Sequence, residues 1–233
     1  MEIIGTLRTI ARYPVKSMRG EELESVQVGL QGLPGDRAYA FVQEGVYTPF
    51  PWLTARQHQG LLSYQPVWRD KDGRPTLEVT HAGEGSFPIT DRALLEQIQQ
   101  ESGKKARLHS DYRGNHDVAY VSVITTATIR RLAEAGGVAA DHRRFRMNFV
   151  VESDLPPFAE REWAGRELHI GDCRVMVTEP DKRCVMVTFD PETGEGTPAV
   201  LKAVATLNDS SAGMYGSVAN AATVSVGVVV TLV

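Results

Sequence analysis

The sequence is poor in cysteine, with only Cys173 and Cys184 among its 233 residues. Their spacing matches neither a CxxC redox pair nor the paired cysteines of a zinc site. Two cysteines are also too few for a disulfide-rich scaffold or for the four thiolates of an iron–sulfur cluster. We therefore expect no disulfide framework and no such cluster held by this chain.

The sequence also lacks an excess of charge of either sign, since 25 Lys and Arg residues stand against 29 Asp and Glu residues, for a net charge of −4. No overall positive field favours nucleic acid, and we predict no nucleic-acid partner. The longest apolar tract, 224–233, is far shorter than the ~20 residues of a membrane-spanning helix. We predict that it forms a closing strand, with no membrane partner.

Several common functional motifs are missing as well. The Walker A phosphate loop, the GxGxxG dinucleotide fingerprint and the serine nucleophile elbow do not occur. The six histidines show no metal-ligand spacing. The first seven residues do not have the pattern of a signal peptide, which predicts a cytoplasmic protein. Hydrolase and zinc-enzyme functions are therefore disfavoured.

The segments that are present predict a mainly β protein with a few helices, of the α+β class. Short runs rich in Val, Ile and Thr lie between Gly, Pro and Asp turns. Amphipathic periodicity predicts helices over 91–100 and 126–135, each followed by glycine. A polar stretch after the first helix predicts a boundary near residue 110, giving units 1–110 and 111–233. The predicted strands include 24–28, 38–42, 77–80 and 118–123.

Cys184 directly follows two cations, Lys182 and Arg183, and is predicted to open a β-type stretch. Neighbouring positive charge favours a thiolate over a thiol, and a thiolate binds soft metals. The alternative is a buried core cysteine, because free cysteine is among the most buried residue types. Cys173 fits that alternative, since it shares a predicted strand face with Val175.

Other cations stand in turns or on a predicted strand. Lys16 and Ser17 follow the first predicted strand, where a charge and a hydroxyl together can hold a phosphate. Arg37 supplies a rigid cationic fork in the next turn. Strand alternation over 144–148 would place Arg146 and Asn148 on one face with Arg144, as suits an anionic ligand. A charged edge strand that blocks aggregation is the alternative.

Taken together, five short motifs in this order resemble the MOSC family. The resemblance covers nearly the whole chain, as in the mitochondrial amidoxime-reducing component and its bacterial relatives. It implies a β-barrel-like MOSC core preceded by a smaller β-barrel-like N-terminal unit. The motifs are Tyr-Pro-Val-Lys-Ser at 13–17, Gly-Asp-Arg at 35–37, Thr-Ala-Arg-Gln at 54–57, Arg-Phe-Arg-Met-Asn at 144–148 and Arg-Cys-Val-Met at 183–186.

The resemblance implies a molybdenum cofactor, with Cys184 as the catalytic cysteine and as a sulfur ligand of molybdenum. Two positions depart from the family: relatives often have proline where Met147 stands, and a small residue or cysteine where Lys182 stands. The residues that match cofactor-binding positions of the family are Lys16, Ser17 and Arg37 for the pterin phosphate, Arg146, Asn148 and Arg183 for the rest of the cofactor, and Tyr215 from the C-terminal loop.

The function implied by this resemblance is a molybdenum-dependent oxidoreductase that reduces small N-hydroxylated compounds. Its electrons would come from a separate flavin or iron–sulfur protein, because no flavin or nicotinamide fingerprint is visible. One alternative is a molybdopterin carrier or a sulfur-transfer protein that uses a Cys184 persulfide without turning over a substrate. A further alternative is a structural or binding β-domain with Cys184 buried and the arginines solvated.

Overall fold

The computed structural model describes residues 1–81 and 85–233, which are folded mainly as β-strands. This confirms the predicted mainly β class with a few helices. The strands before residue 111 are β1 (Glu2–Arg12), β2 (Glu21–Leu23), β3 (Ser25–Val28), β4 (Tyr39–Gln43), β5 (Trp52–Leu53), β6 (Gln65–Lys71), β7 (Arg74–His81), β8 (Gly85–Pro88) and β9 (Ala106–Ser110). The later strands are β10 (Val121–Thr125), β11 (Phe149–Glu152), β12 (Glu167–Ile170), β13 (Cys173–Lys182), β14 (Ser211–Asn220), β15 (Ala222–Ser225) and β16 (Val229–Leu232).

Seven strands form a closed barrel in the order β11, β10, β14, β13, β12, β16 and β1. The barrel closes because β1 pairs with β16 on one side and with β11 on the other. On β13 the alternation of buried and exposed residues turns Cys173, Val175 and Val177 into the core. The expectation that Cys173 is a core residue is therefore confirmed.

A smaller unit precedes most of the barrel. It contains the three-stranded sheets β5-β4-β9 and β6-β7-β8 and helix α1 (Arg92–Ser102). Phe41, Leu77, Leu94 and Ile98 share one buried cluster there, so the two sheets and the helix enclose a common core. The boundary near residue 110 stays a prediction, and β1, which lies before it, is a barrel strand.

The two predicted helices are confirmed. Helix α1 is capped by Asp91, whose side chain accepts a hydrogen bond from Ala93 N, and α2 (Thr126–Gly136) is capped by Thr125. A third helix, α3 (Pro198–Asn208), packs against α2 and was not predicted. No helix in the described residues is long and apolar enough to cross a membrane.

The prediction of a strand over 144–148 is wrong. Arg144 ends a short 3₁₀ helix that begins at His142, and strand β11 starts only at Phe149. Arg146 has a left-handed backbone with φ 54°. Because the alternation of a strand requires an extended backbone, it does not apply at this residue.

The prediction that Cys184 opens a β-type stretch is also wrong. Strand β13 ends at Lys182, and Val185–Thr188 form a 3₁₀ turn in which Val187 N donates to Cys184 O. The predicted closing strand over 224–233 is instead two strands, β15 and β16, separated by a turn at Gly227.

Candidate functional site

A cleft collects cations and one thiol from distant parts of the chain. We call it the cationic cleft, and it contains about 800 Å³ of space between atoms, part of which is open solvent. All the predicted site residues except Asn148 line it. Those that do are Lys16, Ser17, Arg37, Arg146, Arg183, Cys184 and Tyr215.

Three of these lining residues have a left-handed backbone. The φ angles are 68° at Ser17, 49° at Arg37 and 54° at Arg146. Non-glycine residues adopt this region rarely and at a cost in free energy, and such residues cluster at functional sites. Here the unusual backbone occurs at the positions that present a hydroxyl and two guanidinium groups to the cleft.

The ring of Tyr13 holds two of the arginines close together. The guanidinium carbons of Arg146 and Arg37 lie 4.3 Å and 4.6 Å from the ring centre. Arg37 Nη2 donates to Arg146 O over 2.7 Å, and Arg146 Nη1 donates to Met18 O over 2.6 Å. Burial lowers the pKa of Arg146 to about 10, and the neighbouring Arg37 adds to this shift. Arg146 still carries its charge at neutral pH.

A buried carboxylate, Asp36, fixes one wall of the cleft. It is 3% exposed, accepts a hydrogen bond from Tyr13 N over 2.7 Å and pairs with Arg37 Nη1. Asn148 Nδ2 donates to the same carboxylate and to Ala11 O, while its Oδ1 accepts from Ser122. Asn148 therefore does not line the cleft. It contacts Asp36, which in turn pairs with the cleft residue Arg37.

Lys16 is almost fully buried in the cleft wall. Its Nζ donates to Asn115 O over 2.8 Å and to Asp117 Oδ1 over 2.6 Å. Burial lowers the pKa of Lys16, and Asp117 opposes that shift. Burial likewise lowers the pKa of the nearby His116 to about 4, with Arg37 adding to the effect. His116 is therefore neutral at pH 7, and the fixed charge here comes from Lys16 and Arg37.

Arg183, Asp181 and Tyr215 form a second charged group in the cleft. Arg183 Nη1 pairs with Asp181, and the phenol of Tyr215 donates to the same carboxylate. Burial raises the pKa of Asp181, with Arg183 opposing, and burial together with Asp181 raises the pKa of Tyr215. Arg183 Nε is buried without a hydrogen-bond partner among the described residues.

Cys184 is half-buried and lines the cleft at the start of the Val185–Thr188 turn. Its position is fixed from one side because Arg183 N donates to Ser210 O over 2.8 Å. Lys182 also lines the cleft, and its Nζ donates to Asp209 O over 2.6 Å. Cys184 is thus reachable from a cleft that is rich in positive charge.

The acidic partners of these cations were not among the residues predicted from the sequence. Asp36 and Asp181 are 3% and 5% exposed, and each pairs with an arginine of the cleft. Asp117 pairs with Lys16. The one available signal was proximity in sequence, because Asp36 adjoins Arg37 and Asp181 lies two residues before Arg183.

The chain belongs to the MOSC domain family. The family model described as MOSC domain matches residues 110–231, and the one described as MOSC N-terminal beta barrel domain matches residues 4–120. The resemblance to this family is therefore confirmed. No curated protein matches the chain.

One solved structure supports the fold. The crystal structure of the YuaD protein from Bacillus subtilis is similar with a TM-score of 0.55 at 9% identity, covering 100% of this chain and 97% of that one. The crystal structure of YiiM from Geobacillus stearothermophilus has a TM-score of 0.39 at 17% identity, covering 49% of this chain and 54% of that one. At this level of identity the similarity to YuaD bears on the fold alone.

Proposed function

We propose that this protein binds a molybdenum cofactor in the cationic cleft and reduces small N-hydroxylated compounds such as hydroxylamines, amidoximes and N-hydroxylated bases. The observation that carries the proposal is the convergence of Lys16, Arg37, Arg146 and Arg183 with the half-buried Cys184 in one cleft. Guanidinium forks and an ammonium suit a phosphate, and a thiolate suits a soft metal. Membership in the MOSC family supports the same cofactor.

The residues of the cleft fit this cofactor. Arg146 has no carboxylate in ion-pair contact within the described part of the chain, and Arg183 Nε is buried with no partner there. A buried donor without an acceptor costs free energy. An anionic, acceptor-rich ligand such as the pterin phosphate and ring edges would satisfy these donors.

Each residue of the cleft then has a role. Lys16, Ser17 and Arg37 would hold the phosphate, and Arg146 and Arg183 would bind the rest of the pterin. Cys184 would be the protein ligand of molybdenum. When bound, the cofactor supplies two-electron removal of the oxygen that is bonded to nitrogen.

Side chains of the protein determine the hydrogen bonding and charge around that chemistry. Tyr215 holds its phenolic proton towards Asp181, and burial raises the pKa of both groups. The phenol therefore remains a neutral hydrogen-bond donor at the cleft, while Arg183 balances the carboxyl. Reduction of a hydroxylamine consumes two electrons and two protons and releases an amine and water.

The electrons for this reaction would come from a separate flavin or iron–sulfur protein. Two free cysteines, Cys173 and Cys184, cannot ligate a four-cysteine cluster. We also propose a cytoplasmic location, because a reducing compartment keeps a ligand cysteine such as Cys184 in its thiol or thiolate form.

A second candidate function rests on the accessibility of Cys184. A half-buried thiol in a cleft lined by cations could carry a persulfide and transfer sulfur, or the cleft could store molybdopterin without turning over a substrate. Steady reduction of benzamidoxime with a reconstituted electron-transfer chain would distinguish a reductase from such a carrier. Cofactor-loaded protein that forms no product would favour the carrier.

The experiment that tests the proposal compares wild type with Cys184→Ser, purified anaerobically from a host that makes the cofactor. Molybdenum and pterin are measured per mole of protein. We expect near-stoichiometric pterin and molybdenum in the wild type and a loss of molybdenum in the variant. Absence of both from the wild type, in a host with confirmed cofactor synthesis, would overturn the proposal in favour of a binding domain.

A further inference from the structure

His116 lines the cationic cleft on a segment that is tied to two of its cations. The residues on either side of it, Asn115 and Asp117, both accept hydrogen bonds from Lys16 Nζ, over 2.8 Å and 2.6 Å. Asn115 also donates twice to Arg37 O, from its backbone N over 2.7 Å and from Nδ2 over 2.9 Å. The backbone that carries His116 is thus fixed next to both cations that are proposed to hold the phosphate.

A glycine makes room for the His116 ring. Gly114 has a left-handed backbone with φ 82°, and a Cβ at this position would lie 2.6 Å from Asp36 O and would also meet His116 Nε2. A side chain at residue 114 would therefore displace the backbone or the ring. On another side the ring packs edge-on against Tyr120, with ring centroids 5.4 Å apart. The imidazole is therefore held in one place.

The fixed ring of His116 has unused hydrogen-bonding capacity. It is half-buried, and neither ring nitrogen forms a hydrogen bond with another residue in the described ranges 1–81 and 85–233. A neutral imidazole has one donor nitrogen and one acceptor nitrogen, whereas the protonated ring has two donors. An oxyanion bound beside Lys16 and Arg37 would supply the acceptor that this ring lacks.

The cations around His116 oppose protonation of its ring. Burial lowers the pKa of His116 to about 4, the two cations add to this shift, and the two carboxylates oppose it. A dianion bound by the same cations would offset their charge and favour the protonated ring, since an opposite charge within ~4–6 Å typically moves a pKa by about 1–3. The charged and titratable groups that face the ring are Arg37, Lys16, Asp36, Asp117 and Tyr120.

We propose that His116 is a further ligand of the cofactor phosphate, beside Lys16 and Arg37, and that its ring takes up one proton when this group binds. The proposal rests on the proposed function only for the identity of the ligand, which could be any tetrahedral dianion. The protonated ring adds a charged donor to those of the two cations. Binding of the dianion and protonation of His116 therefore strengthen each other, and the cofactor is held more tightly at mildly acidic pH.

Inorganic sulfate is a suitable probe. Phosphate groups change their own charge at about pH 6, whereas sulfate keeps both charges there. Calorimetric titration of the full chain, prepared without cofactor, should show an affinity for sulfate that rises about tenfold from about pH 7 to about pH 5. In His116→Gln, which keeps a donor but cannot gain a charge, the rise should be less than about twofold. His169→Gln, in strand β12, is the matched control and should keep the wild-type rise.

Two lysine variants locate the bound sulfate. Lys16→Met removes a cation of the cleft and should weaken sulfate binding about tenfold or more at both pH values. Lys202→Met removes an exposed cation of helix α3 and should change it by less than about twofold. Equal weakening by the two would place the sulfate elsewhere and overturn the proposal. No binding of sulfate by the folded wild type at about pH 5 would also overturn it.

Proton NMR of the wild type follows the His116 ring directly, and His116→Gln assigns its resonance. Without sulfate the ring should stay neutral above about pH 5, because its pKa is lowered to about 4. In saturating sulfate it should become charged below about pH 6. A titration of this resonance that sulfate does not change would overturn the proposal, whatever the stability of the variant.

These measurements need no molybdenum, so they separate this proposal from the proposed function. Sulfate binding that strengthens at low pH and depends on His116, in a protein that takes up no molybdenum, would support the dianion site and overturn the proposed function. A cofactor-loaded, active reductase whose His116 ring does not respond to sulfate would have the opposite meaning. Equal dependence on pH in wild type and folded His116→Gln would likewise overturn the role of His116.

Discussion

Asn148 Nδ2 donates a hydrogen bond to Asp36 Oδ2 over 2.9 Å. The carboxylate that receives it also accepts from Tyr13 N and pairs with Arg37. Asp36 is 3% exposed, so its charge depends on these partners. The side-chain amide of Asn148 thus stabilises the carboxylate of Asp36, which in turn positions both Tyr13 and Arg37.

Removal of that amide should destabilise the protein. We expect Asn148→Ala to lower the free energy of unfolding by ~1–3 kcal/mol, since it leaves a buried charge with one partner fewer. Urea denaturation followed by fluorescence measures the loss. Asn220→Ala is the matched control, because its amide donates to Asp172 O at an exposed site and its loss should cost less than ~0.5 kcal/mol. Equal losses would contradict this support of Asp36.

The two cysteines should react differently with thiol reagents. Burial raises the pKa of Cys173 to about 11, whereas Cys184 is half-buried and lines the cleft. We expect one thiol per folded chain to react with an aromatic disulfide at neutral pH, and two after unfolding. Cys184→Ser should abolish the reaction of the folded protein, and Cys173→Ser should preserve it. Rapid labelling of folded Cys184→Ser would contradict the burial of Cys173.

The same two variants test the proposed reductase. We expect Cys184→Ser to abolish reduction of an amidoxime and Cys173→Ser to retain most of it, because only Cys184 lines the cleft. Steady-state assays with a chemical or protein electron donor measure both. Equal activity of wild type and Cys184→Ser would refute the ligand assignment.

The side chain of Arg146 should contribute to retention of the cofactor. Arg146→Ala removes a cation from the cleft wall, so released pterin per mole of protein should fall several-fold. Arg161→Ala is the control, because Arg161 Nη1 donates to Asn208 Oδ1, away from the matched motifs. Fluorescence of the oxidised pterin quantifies both variants. Equal pterin content in the two would count against a role of Arg146 in binding.

The sequence predicted which side chains line the cleft better than it predicted the backbone conformation around the cleft. Cations and the thiol stand in short segments that are recognisable by residue type, and Lys16, Arg183 and Cys184 do line one cleft. The strand over 144–148 failed because one residue, Arg146, has a left-handed φ that residue type does not indicate. The burial of Asp36 could not be predicted from the sequence, because it depends on contacts with Asn148, which is distant in sequence.

The buried carboxyl group of Glu160 should make the free energy of unfolding depend on pH. It is 0% exposed, and its Oε2 accepts hydrogen bonds from the hydroxyls of Thr125 and Thr128, while Oε1 has no partner among the described residues. Burial raises the pKa of Glu160, so the folded state favours the protonated form. The stabilisation from this group is present below the pKa of the unfolded chain and is lost as the pH rises through that of the folded protein.

Glu160→Gln resembles the protonated form at every pH. We expect the free energy of unfolding of this variant, relative to wild type, to increase as the pH rises from about 4 towards neutrality. Denaturation series across that range measure the difference. Glu162→Gln, at an exposed residue of the 3₁₀ helix Ala159–Trp163 that also contains Glu160, should show a smaller dependence on pH. If the difference in free energy of unfolding between Glu160→Gln and wild type did not change with pH, this would contradict the burial of the Glu160 carboxylate.

The closure of the barrel fixes the order in which the chain can fold. Thr6 of β1 pairs with Val229 of β16, so this seam joins segments that the ribosome makes far apart in time. The sheets β5-β4-β9 and β6-β7-β8 use only contacts made earlier in synthesis. Pairing across such a sequence separation is slow, because a long loop must close first. During that interval the edge of β1 that pairs with β16 is open, and other chains or chaperones can reach it.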